Sequence, residues 1–132
     1  MDNPKARLND VFYYGFYMDE EIFKNKQVIP RNQRFAFVRN YELKLGEMAT
    51  LLRKDNTKAY GVVYTLSHDE IDILYTRLSG YMVEVFCVEL QDGSMVPTLS
   101  YYLREAPMES ENNDAYYQKL TKVMKRYNLP IP

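Results

Sequence analysis

Apolar residues along this chain fall mainly in short runs of strand length. Residues 11–17 form a run rich in Val, Phe and Tyr, which is typical of a buried strand. In residues 34–45, apolar positions such as Phe35 and Phe37 recur at mostly even spacing, which predicts a second strand. Residues 59–66 are apolar at both odd and even positions. We therefore expect this strand to lie at the centre of a sheet, with both faces covered.

Three helices are predicted between and after the strands. Asp19 and the two glutamates after it suit the first turn of a helix, where carboxylates meet the positive end of the helix dipole. Ser67, followed three residues later by Glu70, forms a capping box for a second helix. A third helix begins near Asn113 or Asp114, both good N-cap residues. Its apolar stripe consists of Tyr116, Leu120, Val123, Met124 and Tyr127.

An Asp-Gly turn separates two further predicted strands. Residues 81–90 and 95–102 flank Asp92-Gly93, which is a strong hairpin signal. A shorter strand is predicted at 48–52, followed by a turn at Asp55-Asn56. The pattern therefore predicts an α+β fold with five or six strands and three singly inserted helices. Its mostly antiparallel sheet is expected to be curved or barrel-like.

Composition and length narrow the class of protein. A chain of 132 residues fits one domain spanning positions 1–132, and 46% hydrophobic with 27% charged residues is ordinary for a globular fold. The formal net charge of −1 gives no reason to expect nucleic acid or an anionic membrane as a partner. No run approaches the length of a transmembrane helix and no segment resembles a signal peptide, so the expected location is cytoplasmic.

Cysteine and histidine are too scarce to suggest disulfide or metal chemistry. Cys87 is the single cysteine, so no internal disulfide can form, and together with one histidine it argues against a zinc site. Cys87 shares a strand face with Val83 and Val85, and we expect it to be a small core residue rather than a nucleophile. His68 lies inside the capping box and is expected at the surface. Neither a metal nor a cofactor is predicted.

Tyrosine is unusually frequent, with 13 Tyr and no Trp. These residues either fill the core and its rim, with hydroxyls that find partners, or line a pocket with phenols. Gly15 lies where the first strand passes into a helix. A glycine there allows close backbone approach and exposed amides that can hold a carboxylate. The alternative is a glycine that only permits the turn.

Glu84 is the candidate general base. Strand side chains alternate between faces, so Glu84 shares its face of the 81–90 strand with four apolar residues. A carboxylate in that position lies at a pocket mouth, is paired, or has a raised pKa. A poised general base would have such an environment. The alternative is a glutamate at the rim that reaches solvent.

Taken together, these segments resemble the gamma-glutamylcyclotransferase-like family. Residues 11–18 read Val-Phe-Tyr-Tyr-Gly-Phe-Tyr-Met, which is similar to the family's opening strand and its Tyr-Gly-Ser-Asn-Met/Leu loop. Residues 41–51 and 60–66 resemble its second block and its Gly-Val-Val/Leu-Tyr strand. Val96-Pro97 resembles its last strand, and 113–130 resembles its closing helix with a Leu-Pro end. The matches follow the family's order over nearly the whole chain.

The resemblance implies a small mixed β-barrel with a pocket at one end. It also implies cofactor-free cyclisation of a γ-glutamyl group to 5-oxoproline with release of an amine. In this chemistry the loop amides hold the substrate, and an acidic residue takes a proton from the α-amine. The substrate-binding residues that the resemblance implies are Tyr14, Gly15, Phe16, Tyr17, Ser79 and Tyr101.

Two departures from the family pattern bear on activity. The loop Ser and Asn of the family are Phe16 and Tyr17 here, which keeps the backbone amides but predicts a bulkier and more apolar pocket. Ser79 stands at or near the place of the family's acid and cannot replace a carboxylate in proton abstraction. Glu84 lies in a Tyr-x-x-Glu segment similar to one branch of the family, which makes it the candidate catalytic residue.

Three kinds of function are open from the sequence. The first is an enzyme that cyclises a γ-glutamyl amine or peptide, with Glu84 as base. The second is a non-catalytic module on the same fold that binds a small molecule or a peptide. The third is an interaction protein whose tyrosines form a partner surface. The expected partner is a small molecule with a carboxylate or γ-glutamyl group, and a homodimer is compatible with the sequence.

Overall fold

The computed structural model describes residues 7–26, 28–46, 48–75, 80–103, 107 and 113–131. The strands are β1 (Leu8–Tyr13), β2 (Arg31–Leu45), β3 (Ala49–Ser67), β4 (Tyr81–Leu90) and β5 (Met95–Leu103). The helices are α1 (Glu20–Lys24), α2 (His68–Tyr75) and α3 (Asp114–Arg126), and a short 3-10 helix at Phe16–Met18 precedes α1. The strands close into a barrel in the order β1-β3-β2-β4-β5.

The strand pairing confirms the predicted fold class. β1 and β5 pair in parallel at Val11 and Leu99, and the other neighbouring strands pair antiparallel. The fold is therefore α+β, with a small mixed and mostly antiparallel barrel. None of the helices in the described part of the chain is long and apolar enough to cross a membrane.

The long strand β3 forms the middle of the barrel wall, between β1 and β2. Val62, Val63 and Tyr64 are consecutive and therefore point to opposite faces, and all three are buried. This confirms the prediction that residues 59–66 have both faces covered. β3 supplies both the barrel interior and the surface on which the helices pack.

The hairpin of β2 and β3 differs from the prediction at its bend. The predicted turn at Asp55-Asn56 is wrong, because β3 runs without interruption from Ala49 to Ser67. Asn40 and Asn56 instead adopt φ angles of 66° and 64°, and the β2–β3 register shifts beside Asn40. Asparagine tolerates this left-handed region. The hairpin therefore bends at this irregularity, and its pairing resumes on both sides, at Arg39 with Lys58 and at Tyr41 with Arg53.

Two apolar clusters lie on opposite faces of the barrel wall. The inner cluster includes Phe12, Val63 and Phe86. The outer cluster includes Val62 and takes buried side chains from all three helices, among them Leu120 of α3. The outer cluster attaches the helices to the barrel, and the candidate site takes residues from both clusters.

The helices of the described residues leave the outer face of β4 uncovered. Val83 and Val85 are 48% and 66% exposed, and Cys87 on the same face is exposed as well. The prediction that Cys87 is a core residue is therefore wrong. The alternation along the strand was inferred correctly, but the face that carries Cys87 points outward.

The predicted helix starts are confirmed by their capping hydrogen bonds. The Ser67 peptide N–H donates to Glu70 Oε1 at 2.8 Å, and the Glu70 N–H donates to Ser67 Oγ at 3.2 Å. Asn113 Oδ1 accepts from the Tyr116 N–H at 3.0 Å. The last of these caps fixes the first turn of α3, which carries part of the candidate site.

Candidate functional site

A cavity of about 500 Å³ lies beside the 3-10 helix, against the end of α2 and the start of α3. Aromatic side chains make up most of its wall. Seven of the lining residues are tyrosines. They are Tyr13, Tyr14, Tyr17, Tyr75, Tyr81, Tyr101 and Tyr116. The volume suits a small organic ligand.

Five of the substrate-binding residues predicted from the sequence surround this one cavity. They are Tyr14, Gly15, Phe16, Tyr17 and Tyr101. Ser79 lies outside the described residues. The structure thus brings the loop after β1 and the end of β5 together, although they are more than 80 residues apart in sequence.

Several phenol groups are held in place by backbone carbonyls. The Tyr14 hydroxyl donates to the Tyr101 carbonyl. The Tyr81 hydroxyl donates to the Ala49 carbonyl at 2.9 Å. Such bonds fix the rings that carry them. This part of the cavity wall is therefore preformed.

The hydroxyl of Tyr13 stands apart from these phenols. It is buried, and it makes no hydrogen bond of normal geometry within the described part of the chain. Burial raises the pKa of Tyr13 well above its usual value, and the phenols of Tyr101 and Tyr17 act in the same direction, whereas the neighbouring Tyr75 hydroxyl lowers it. The group is therefore a neutral phenol at pH 7. It lines the cavity and can both donate and accept a hydrogen bond.

Stacked rings close one side of the cavity. The rings of Tyr75 and Tyr101 stack with centroids 3.8 Å apart and an interplanar angle of 12°. Tyr17 meets the edge of Tyr75 at 6.0 Å, and its hydroxyl donates to the Leu74 carbonyl at 3.3 Å. These contacts join α2, the 3-10 helix and β5 around the aromatic wall.

Gly15 is required by a close approach. A Cβ built on Gly15 would lie 2.5 Å from the Tyr116 hydroxyl oxygen. That hydroxyl accepts a hydrogen bond from the Phe16 N–H at 3.2 Å, and the rings of Phe16 and Tyr116 stack at 3.7 Å. The Phe16 amide, which the resemblance would give to a ligand, is thus bonded to Tyr116. The Tyr116 hydroxyl still has a proton to donate towards the cavity.

Glu84, the candidate base from the sequence, does not line the cavity. It is an exposed residue near the start of β4, where its Oε1 accepts a hydrogen bond from the Tyr102 hydroxyl at 3.1 Å. Its face of β4 is the inner one, as expected, because Phe86 and Val88 on that face are buried. The geometry therefore gives Glu84 no contact with a ligand in the cavity.

The charges around the cavity are sparse. Among the described lining residues there is no aspartate or glutamate, and Lys119 is the one charged side chain. Nor does the described part of the chain contain a group of three or more His, Cys, Asp or Glu residues placed to hold a metal ion. The chemistry that the described wall offers is hydrogen bonding from neutral phenols and stacking on aromatic faces.

Comparison with known proteins gives no match at the level of sequence and clear matches at the level of structure. Neither a protein-family model nor a curated protein matches the chain. A solved gamma-glutamyl cyclotransferase matches with a TM-score of 0.77 and 18% identity, over 94% of this chain and 82% of that one. An uncharacterized protein from Homo sapiens matches with a TM-score of 0.75, 20% identity and the same coverages.

A solution structure from Arabidopsis thaliana matches with a TM-score of 0.70 and 13% identity, over 97% of this chain and 90% of that one. This chain has the gamma-glutamylcyclotransferase-like fold. At such low identities the similarity concerns the fold alone, so any activity has to be argued from the residues of the site.

Two residues of the cavity were assigned from the sequence only to secondary structure, Tyr13 to a strand and Tyr116 to the apolar stripe of the third helix. The sequence signal that could have indicated a tyrosine-lined cavity was the unusual total of 13 tyrosines. Tyr64 shows why number alone was insufficient: its hydroxyl donates to the Met18 carbonyl at 2.6 Å, inside the core.

Proposed function

We propose that this chain is a small-molecule binding protein that holds its ligand in the tyrosine-lined cavity. The observation that carries the proposal is the Tyr13 hydroxyl, which is buried and makes no hydrogen bond of normal geometry within the described residues. Leaving a buried polar group unsatisfied costs about 1–3 kcal/mol. A ligand that offers this hydroxyl a hydrogen bond would remove that cost, so the cavity favours a ligand with a polar group.

The proposed ligand is a γ-glutamyl amine, a γ-glutamyl peptide or a related small carboxylate. Tyr14, Gly15, Phe16, Tyr17 and Tyr101 are the proposed contact residues, because they surround the cavity. Aromatic faces would pack against the apolar part of such a ligand. Neutral phenols would satisfy its carbonyl and amide groups.

Cyclisation is the second candidate function. It is favoured by the position of the loop at Tyr14–Tyr17 beside the cavity and by the sequence resemblance. It requires a group that takes a proton from the α-amine. Burial raises the pKa of Tyr81 and of Tyr116 to about 12, so neither phenol is an effective base at pH 7. Binding without turnover is therefore the proposal that the described residues support better.

One experiment separates these two functions. Purified protein is titrated with a panel of γ-glutamyl amines, γ-glutamyl peptides and simple amino acids by calorimetry, and 5-oxoproline release is measured on the same samples. The variant Tyr13→Phe tests the cavity. Glu84→Gln is the matched control, because Glu84 lies outside the cavity and pairs with Tyr102.

We expect at least one member of the panel to bind, with no 5-oxoproline released. Tyr13→Phe should weaken this binding by about threefold to tenfold, the worth of one hydrogen bond. Glu84→Gln should bind as the wild type does. Release of 5-oxoproline would contradict binding without turnover and support the cyclisation function instead. Absence of binding across the panel in a folded sample would contradict it.

A further inference from the structure

A second cavity of about 380 Å³ adjoins the first. Phe16, Ile22 and Lys119 line both cavities. The two cavities are therefore neighbours, and these three residues form part of the wall of each. A ligand longer than the first cavity would extend along this second one.

The second cavity differs from the first in charge. Its wall carries Lys119, Lys122, Arg126 and Asp19. Arg126 Nη2 lies 2.9 Å from Asp19 Oδ1, and this hydrogen bond raises the pKa of Arg126. The charge of Arg126 is thus matched by a carboxylate. Lys119 and Lys122 have no ion-pair partner among the described residues.

The two lysines lie on one side of α3. They are three residues apart, which makes them neighbours on a helix surface. Like charges at this spacing oppose each other. A single anionic group between the two ammonium groups would relieve this repulsion. Both lysines are exposed, so such a group can reach them from solvent.

The backbone amide in this loop that could hold a ligand anion already has a hydrogen-bond partner. The Phe16 N–H donates to the Tyr116 hydroxyl at 3.2 Å. A carboxylate at that amide would have to displace the Tyr116 phenol from its stacked position on Phe16. The lysine pair offers a negative group a site that needs no such rearrangement.

We propose that Lys119 and Lys122 form an anion subsite, so that the joined cavities take ligands with an apolar or aromatic body and a carboxylate at the outer end. This inference rests on the proposed binding function of the tyrosine-lined cavity. The body lies among the phenols, and the carboxylate projects along α3 to the lysine pair. Because the lysines are exposed, the subsite contributes selectivity rather than most of the affinity.

The test uses two probes that share one skeleton. 4-Phenylbutyrate carries a carboxylate, and 4-phenyl-1-butanol carries a neutral hydroxyl in its place. Each probe is titrated into the full chain by NMR, at low salt and at high salt. The variants are the double substitution Lys119→Gln with Lys122→Gln, and the control Lys125→Gln. Lys125 lies on the same helix but lines neither cavity.

In the wild type we expect the carboxylate to bind about threefold to tenfold more tightly than the alcohol, and added salt to weaken the carboxylate alone. The double variant should bind both probes equally, and Lys125→Gln should behave as the wild type. Equal affinities in the wild type would overturn the subsite and leave the binding function intact. A carboxylate preference that survives in the double variant would also overturn it. If neither probe binds, the subsite proposal fails, and the binding function is then judged by the γ-glutamyl panel alone.

Discussion

At the scale of the residue, the hydroxyl of Tyr13 has the clearest energetic consequence. In the described structure it is buried and makes no hydrogen bond of normal geometry, so its removal should stabilise the ligand-free protein. We expect Tyr13→Phe to raise the free energy of unfolding by about 1 kcal/mol in urea titrations. The matched control is Tyr14→Phe, because the Tyr14 hydroxyl donates to the Tyr101 carbonyl. That variant should lose about 1 kcal/mol, and equal losses in both variants would show that the Tyr13 hydroxyl has a partner.

Gly15 gives a second prediction at this scale. Its φ of −115° is open to any residue, so the constraint is the Tyr116 hydroxyl, which would lie 2.5 Å from an added Cβ. We expect Gly15→Ala to lower the free energy of unfolding by about 1–3 kcal/mol. Adding Tyr116→Phe removes the clashing oxygen and should restore part of this loss. Additive losses in the double variant, measured by urea unfolding, would place the strain elsewhere.

The sequence predicted the positions of some site residues and not of others. The substrate-binding role of the loop at 14–17 was implied by the family resemblance, because the glycine pattern alone also fits a simple turn. Glu84 was assigned a face of β4 from alternation, and that face is the inner one. Alternation does not show where along the barrel a residue lies, and Glu84 stands near the start of the strand, where it is exposed. The depth of a side chain depends on neighbouring strands, which the local pattern does not contain.

At the scale of the element, Glu70 joins helix α2 to the start of β2. Its carboxylate accepts from the Ser67 N–H at 2.8 Å, from the Ile29 N–H at 2.9 Å and from Arg31 Nη1 at 2.7 Å. Partial burial raises the pKa of Glu70, but these hydrogen bonds outweigh it and hold the pKa below its ordinary value of 4.5. One side chain thus caps α2 and fixes the segment that leads into β2.

This depressed pKa predicts a specific dependence of stability on pH. A carboxyl whose pKa is lowered by folding contributes stability above its unfolded pKa and loses that contribution as pH falls through the folded value. We expect Glu70→Gln to cost about 1–3 kcal/mol at pH 7. The difference from the wild type should shrink as pH falls below about 4.5. Urea unfolding of both proteins across this range is the measurement, and a constant difference would exclude the ionised carboxylate as the cause.

Elements whose ends are set by nearby residues in the sequence were predicted correctly. The bend in the β2–β3 hairpin, which depends on pairing between strands, was not. The capping box of α2 and the Asp92-Gly93 turn both follow from local chemistry and are confirmed, with Gly93 at a φ of 88°. The bend of the β2–β3 hairpin was mistaken for a turn at Asp55-Asn56. Asn56 has a left-handed φ, but it lies at a shift in the β2–β3 register, and pairing resumes on both sides of that shift.

Cys87 gives a prediction about the exposed outer face of β4. It lies on the outer face of β4, which no helix covers, and it is exposed. We expect one equivalent of a thiol reagent such as 5,5′-dithiobis(2-nitrobenzoate) to react with the native protein, without a change in its circular dichroism. Cys87→Ser is the control that should show no reaction. Reaction only after denaturant is added would show that this face is covered in solution.

At the scale of the whole molecule, the cavity lies where the barrel and the helices meet. Its wall combines Tyr13 at the end of β1, Tyr75 at the end of α2, Tyr101 of β5 and Tyr116 of α3. The fold class followed from the order of strands and helices in the sequence. The cavity did not, because it is assembled from contacts such as that between Phe16 and Tyr116, 100 residues apart. Such a site becomes visible only once the barrel has closed.

This position predicts how a ligand changes the dynamics of the molecule. A ligand at 100 times its dissociation constant adds about 2.7 kcal/mol to the free energy of unfolding. Because the cavity bridges the barrel and α3, bound 4-phenylbutyrate should slow amide hydrogen exchange in α3 and in Phe16–Met18. The amide of Gly93, at the tip of the β4–β5 hairpin, is the internal control and should exchange at an unchanged rate. Slowing at the hairpin tip without slowing in α3 would place the ligand outside the tyrosine-lined cavity.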